Sequence, residues 1–169
     1  MEVIVEPLSA HPRLVSVTAE WHFKEWGHTA PGGSLETWTA GMARQASADH
    51  VPGTLIALAD GAPAGVVCLV AHDMPGYEPA VPLTPWIKGL YVVPSQRRCG
   101  LGSVLMRRCE AWAASLGYPD LYLYTERGSG AQALYAHLGW EPIQAARYEQ
   151  IDAIVMWKAL SVSRINASA

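Results

Sequence analysis

The chain is short of the residues that mark several classes of function. Its three cysteines, Cys68, Cys99 and Cys109, are an odd number without CxxC spacing. That argues against a disulfide framework or a cysteine zinc site and suits a reducing cytoplasm. The six histidines, at 11, 22, 28, 50, 72 and 137, never fall four apart on one expected helix, so no metal is expected. No apolar run reaches the roughly 18 residues of a membrane helix. The opening Met1-Glu2-Val3-Ile4-Val5-Glu6 alternates charged and apolar side chains, unlike the basic-then-apolar order of a secretory leader. The net charge is −3, and Lys and Arg are scattered except at Arg97-Arg98 and Arg107-Arg108. Neither nucleic acid nor a membrane is therefore expected as a partner.

With 169 residues, half of them apolar, the chain can fill one core and not two. One domain is expected over residues 1–160, with a frayed tail at 161–169. Residues 2–6 alternate like a strand closed by Pro7, and Leu14, Val15, Val17, Trp21 and Phe23 suit a first helix over 12–26 that stops at Gly27. Ser34, with Thr37 three residues on, predicts the capped start of a second helix over 35–48. Asp60-Gly61 between two apolar runs, 54–59 and 65–70, predicts a hairpin. The Pro-rich stretch 74–85 is long enough to suggest a binding loop. Residues 86–93 form a fourth strand in which Gly89 marks a bulge or a close backbone approach. Leu101, Leu105, Cys109, Trp112 and Leu116 recur at helical spacing and end at Gly117, residues 121–125 alternate as a fifth strand, and 130–138 form a short helix. A final strand or two is expected over 148–158. Helices alternating with strands around one hairpin indicate an α/β (α+β) fold with a mixed sheet.

The most informative segment runs from Leu90 to Ser103: an apolar strand, the loop Val93-Pro94-Ser95-Gln96-Arg97-Arg98-Cys99-Gly100, and a helix start. A helix N-terminus carries N–H groups without intrahelical partners and a dipole that favours an anion, so this is a candidate phosphate cradle. A P-loop would need a Gly-Lys-Ser/Thr ending, and a dinucleotide turn would need glycine where Leu105 stands. What remains is Arg97-x-x-Gly100-x-Gly102. It resembles the Gln/Arg-x-x-Gly-x-Gly/Ala signature of the GCN5-related N-acetyltransferase (GNAT) superfamily, which binds the pyrophosphate of acetyl-coenzyme A. A second segment, Ala131-Gln132-Ala133-Leu134-Tyr135-Ala136-His137-Leu138-Gly139-Trp140, resembles that family's Ala-x-x-Leu/Phe-Tyr-x-x-x-Gly-Phe pattern, with Trp in place of the commoner Phe.

The resemblance covers roughly residues 86–142. It implies the acyl-CoA N-acyltransferase fold: a mixed sheet of six to seven strands flanked by about four helices. Acetyl-CoA would be the cosubstrate, without a metal. Main-chain groups of Leu90, Tyr91 and Val92 would pair with the pantetheine arm where strands four and five splay apart. Amides of Arg98, Cys99, Gly100, Leu101, Gly102 and Ser103 would hold the pyrophosphate, with Arg97 and Arg98 adding charge. Tyr135 would donate a proton to the departing thiolate. Seven residues before it the family often has Asn; here Gly128 stands there, with Ser129 as the available replacement.

A primary amine with a reference pKa of about 10.4 must lose a proton before it attacks. Glu126 at the end of strand five is one candidate base, Asp73 at the end of strand three is another, and a chain of waters is a third route. Cys99 at an electropositive helix start could suggest an acyl-cysteine, but a side chain in the phosphate loop points away from the thioester. His72 and Asp73 are adjacent in an expected strand, so they face opposite sides and form no dyad. Trp21, Trp26 and Trp38 fall in the two helices that shape the acceptor site in the family, and each is also a natural core residue. The expected reaction is direct acetyl transfer to a small-molecule or peptide amine, with self-association into a homodimer left open. The alternatives are a noncatalytic acyl-CoA-binding or regulatory domain and a phosphate-binding module for another nucleotide.

Overall fold

A computed structural model describes residues 1–30, 32–79, 81–148 and 150–161, so most of the expected tail lies outside the described residues. The elements in chain order are β1 (Val3–Pro7), α1 (Val15–Trp26), α2 (Leu35–Arg44), β2 (Gly53–Ala59), β3 (Ala62–Val70), β4 (Trp86–Val92), α3 (Leu101–Ser115), β5 (Asp120–Glu126), α4 (Gly130–His137), β6 (Glu141–Tyr148) and β7 (Ile151–Ala159). The seven strands form one sheet in the order β1-β2-β3-β4-β5-β7-β6. All neighbours are antiparallel except β4 and β5.

The alternation seen in the sequence sorts side chains to two faces. Leu55, Ala57, Val67, Leu69, Ile87, Leu121 and Leu123 pack under Leu101, Leu105, Met106 and Cys109 of α3, together with Tyr135 and Leu138. On the opposite face Ile56 and Cys68 meet Ala19 of α1 and Met42 of α2. Farther along that strand row, Val70, Trp86, Ala153 and Val155 are covered by Met74. The Asp60-Gly61 hairpin forms with φ of 48° and 80°, the left-handed pair that matches strand twist. Ser34 and Thr37 make the expected reciprocal cap of α2.

Three expectations change. α2 stops at Arg44 and not near Ala48. The Ser47 hydroxyl accepts from the N–H groups of Asp49 and His50, and Thr54 donates to the Gln45 carbonyl, so a turn competes with further helix. The buried face of α1 is Thr18, Ala19 and His22, and the apolar stripe read from the sequence is only partly covered. The strand β6 lies wholly before the span expected for the last strands, except for Tyr148. It is an exposed edge strand of mostly polar and small residues, so no alternation announced it.

A buried polar triad joins the end of α4 to α3 and β7. Glu110, 9% exposed, accepts from the Trp140 indole at 2.9 Å and from Lys158 Nζ at 2.7 Å. Lys158 also donates to the Leu138 carbonyl. Here the Trp in place of the commoner Phe has a physical reason, since a phenyl ring could not donate to Glu110. Removing one member of a buried pair strands the other. Glu110→Ala is therefore expected to lower unfolding stability by about 3 kcal/mol in urea titrations, and Glu110→Gln, which keeps an acceptor for the indole, by less.

Candidate functional site

The cradle is assembled where β4 runs into α3. β4 touches β5 through a single register pair, Trp86 with Tyr122. Beyond it the two strands part, with Leu90, Tyr91 and Val92 on the free stretch of β4. The parting follows a bulge. Val66 and Cys68 of β3, two apart, lie opposite Tyr91 and Lys88, three apart, so β4 carries one extra residue there. Gly89 takes the strain with φ of 62°. A Cβ on it would lie 2.6 Å from His22 Cε1, so both readings of this glycine, bulge and close approach, hold.

At the loop, Arg98 and Gly100 have left-handed φ of 63° and 82°. Side chains cap α2 and α4, whereas α1 and α3 start with no side-chain cap, α3 at Gly100. Among the described residues, no backbone bond outside α3 engages the N–H groups of Arg98, Cys99 and Gly100. They remain available to an anion, as do those of the first helical residues Leu101, Gly102 and Ser103. A Cβ on Gly102 would point inward, 3.4 Å from Leu134 Cδ2 and 4.0 Å from Leu90 Cδ2 and Val92 Cγ2. A Cβ there would make ordinary contacts, so a larger side chain would crowd the junction of α3, β4 and α4. Free N–H groups at a helix start favour an anion, and a parted strand offers main-chain groups to an extended chain.

The arginines divide their roles. Arg97 lies back on β4: its Nε–H donates to the Val92 carbonyl at 2.9 Å, and its guanidinium sits 5.6 Å from the Tyr91 ring centre. Arg98 is exposed on the loop. The Cys99 thiol turns to the Arg97 carbonyl at 3.6 Å.

Tyr135 is 8% exposed, in the layer with Leu101 and Leu105 and 6.3 Å from the Trp140 ring. Its hydroxyl has no hydrogen-bond partner among the described residues. Among the described residues no buried side-chain oxygen lacks one, so this hydroxyl is not sealed from solvent. Burial pushes its pKa up to about 12, so it stays protonated through the neutral range. Ser129 caps α4 by accepting from Gln132 N–H and pairs with Thr125, an engagement that competes with the coenzyme contact expected of it. Glu126 is exposed at the last position of β5.

Across the sheet, Trp21 stacks on Tyr91 at 5.5 Å, and Trp26 meets both Tyr91 and His22 edge-on. Trp38 packs against Phe23, away from β4. Asp73 lies 3.9 Å from Lys88, while His72 donates to the Met74 carbonyl. Both follow the end of β3 at Val70 and are not in the strand expected to hold them, so strand alternation is not what directs them to different partners. A cleft of about 510 Å³ opens nearby between residues 74–77 of the Pro-rich loop and residues 144–148 of β6. It does not include the cradle.

His22 escaped the sequence reading because a single polar residue inside a helix carries no periodic signal. Its Nε2–H donates to the Gly89 carbonyl at 2.9 Å, which pins the bulge. Burial lowers its pKa from 6.5 to about 4; the Gly89 bond opposes the drop and Lys88 adds to it. The folded state thus binds this proton less well than the unfolded chain. The stability conferred by the neutral ring is complete above pH 6.5 and is lost as pH falls through about 4, up to about 3 kcal/mol. Urea midpoints are expected to fall more steeply across that window in the native protein than in His22→Gln.

Residues 15–140 match the model of the acetyltransferase (GNAT) family, a span that includes both the glycine loop and the Tyr helix. No curated protein sequence is matched. Solved structures share the fold. An aminoglycoside 6′-N-acetyltransferase complexed with coenzyme A superposes with a TM-score of 0.72 at 14% identity, over 92% of this chain and 96% of its own. A candidate acetyltransferase of Salmonella typhimurium, solved with its cofactor acetyl-CoA, gives 0.71 at 17% identity over 99% of both chains. The ribosomal-protein-S18-alanine N-acetyltransferase of Escherichia coli gives 0.65 at 20% identity, over 99% of this chain and 100% of its own. Identities this low carry the fold and leave the substrate open. A family match running from the start of α1 to Trp140, through the cradle and the tyrosine the geometry singles out, makes this chain a member of the GNAT acetyltransferase family.

Proposed function

We propose that the protein transfers the acetyl group of acetyl-CoA directly to a primary amine within a ternary complex. The observation that carries this reading is the uncapped start of α3 beside the β4–β5 split, with the unpartnered Tyr135 hydroxyl on the α3 side. The loop from Arg98 to Ser103 would hold the pyrophosphate by its amides, and Leu90, Tyr91 and Val92 would align the pantetheine arm. Arg97 stiffens this stretch through the Val92 carbonyl and the Tyr91 ring.

Tyr135 assists departure of sulfur. A thiol has a reference pKa of about 8.5. Complete proton transfer from a phenol raised to about 12 would be uphill by about 5 kcal/mol. The hydroxyl therefore acts by donating a hydrogen bond to charge as it develops on sulfur, and it stays protonated to do so throughout the working pH range. The fold neighbours include enzymes named for aminoglycoside and ribosomal-protein alanine acceptors. A small-molecule or peptide amine is the corresponding acceptor class here, and it would reach the split from the side carrying Trp21, Trp26 and the 74–77 loop. Calorimetric titration with acetyl-CoA, followed by an amine screen that reads thiol release, tests the reading. Micromolar binding with amine-dependent thiol release is the expected result. Absence of acetyl-CoA binding would overturn it.

A further inference from the structure

We propose that Asp73, rather than Glu126, takes the proton from the acceptor amine. This assignment rests on the acetyl transfer proposed above and adds to it the identity of the base and the direction from which the amine attacks. Asp73 follows β3, and its carboxylate lies 3.9 Å from Lys88 Nζ. Lys88 immediately precedes the Gly89 bulge, and β4 and β5 are paired only at Trp86 and Tyr122. The carboxylate is thus beside the mouth of the split.

The faces matter as much as the position. Lys88 stands opposite Cys68 in the β3–β4 register, and Cys68 packs with Ala19 and Met42 of the first two helices. Tyr135 packs on the other side of the sheet with Leu101 and Leu105 of α3. A carbonyl carbon placed in the split would have Asp73 on one side and Tyr135 on the other. Direct attack can use that separation: nitrogen adds to one face of the planar carbonyl, sulfur leaves from the tetrahedral adduct, and base and hydrogen-bond donor act on different atoms.

The surroundings of Asp73 suit a base. Its side chain is 16% exposed, and the Lys88 contact at 3.9 Å is too long for a good hydrogen bond. Among the described residues it has no hydrogen-bond partner, and no buried side-chain oxygen lacks one, so the carboxylate reaches open space. The groups facing it are Lys88 from β4 and the Cys68 thiol from β3; His22 of α1 lies beyond Lys88 and is kept neutral by burial. His72 is occupied with the Met74 carbonyl. Burial raises Asp73 to about 7 against the pull of Lys88, which places its proton affinity near working pH. Glu110, the other mostly buried acid, is committed to Trp140 and Lys158, and Glu126 is exposed where water competes for the proton.

In the reaction, Asp73 removes one proton from the arriving ammonium and later sheds it to water. The freed lone pair adds to the carbonyl carbon, and the tetrahedral adduct collapses with cleavage of the C–S bond. Nitrogen sheds its second proton to water, and sulfur, hydrogen-bonded by Tyr135 as charge develops, leaves as the thiolate and takes a proton from water.

The test combines a titration with a paired-acceptor assay. Carboxyl carbon NMR on the native protein, with Asp73→Asn to assign the signal, is expected to give a midpoint near 7, and Lys88→Met to move it higher. Thiol release from acetyl-CoA is then measured with ethylamine, which is charged at neutral pH, and with hydroxylamine, which is not. Asp73→Asn is expected to lower ethylamine transfer about 100-fold, to change hydroxylamine transfer by less than about 3-fold, and to leave acetyl-CoA affinity unchanged, whereas Glu126→Gln spares both acceptors. A midpoint in the ordinary carboxylate range, equal losses with both acceptors, or no loss with ethylamine would overturn the assignment. Failure of the native protein to bind acetyl-CoA would overturn the transfer reading and this assignment together. It is told apart because Asp73 would still titrate near 7.

Discussion

Gly102→Glu is expected to weaken acetyl-CoA binding by more than about 100-fold while the protein stays folded. The Cβ at this position would make ordinary contacts, 3.4 Å to Leu134 and 4.0 Å to Leu90 and Val92, so the first added atom is tolerated. The rest of a glutamate side chain has to occupy the gap between α3, β4 and α4 or push Leu134 aside. Its carboxylate also brings negative charge to the N–H groups that would hold the pyrophosphate. At roughly 5 Å and an effective dielectric of about 20, two unit charges repel by about 3 kcal/mol, which already corresponds to more than 100-fold in affinity. Gly102→Ala is the control: it adds the Cβ without the charge and should weaken binding only a few-fold. Calorimetry on the native protein and both variants, with thermal unfolding to confirm folding, separates the charge from the added bulk. Equal affinity in native and Glu proteins would remove the glycine loop from the binding site.

Tyr135→Phe is expected to reduce turnover by about 100-fold or more with acetyl-CoA affinity and stability nearly unchanged. Stability should hold because the ring keeps its contacts in the α3 layer and the lost hydroxyl has no hydrogen-bond partner among the described residues. Rate should fall because the hydrogen bond proposed to the departing sulfur is lost. With burial holding the phenol at about 12, the native pH profile should show no basic limb from Tyr135 in the neutral range. The measurement is kcat from thiol release with the amine returned by the screen, set beside calorimetric affinity for acetyl-CoA. Unchanged turnover in Tyr135→Phe would take Tyr135 out of the chemistry and leave it as a packing residue. A native protein that binds acetyl-CoA and turns over no amine would match a noncatalytic coenzyme-binding domain.

The legible parts of the chain were those whose information is local. The Ser34–Thr37 cap, the Asp60-Gly61 hairpin and the Leu101–Leu105–Cys109 stripe depend on neighbours within a few residues, and all three stand in the structure. The glycine loop is local as well, because turn geometry and a free helix start are set by Gly100 and the residues around it. The strand β6 was not legible: an exposed edge strand needs no apolar face, and its pairing with β7 is made by tertiary contact. The buried side of α1 was hidden for the opposite reason. Thr18 and His22 are inside because α1 lies against the sheet, with His22 bonded to Gly89 of β4, not because they are apolar.

The sequence by itself therefore determined the family and marked the glycine loop and Tyr135 as candidates for coenzyme binding and proton donation, since each is written in residues close together along the chain. Only the tertiary structure decided which carboxylate is shielded from water and which histidine holds the bulge. Burial depends on what packs above a residue: Asp73 and Glu126 are both strand-end acids in the sequence, and they differ once Lys88, the sheet and its covering elements are in place.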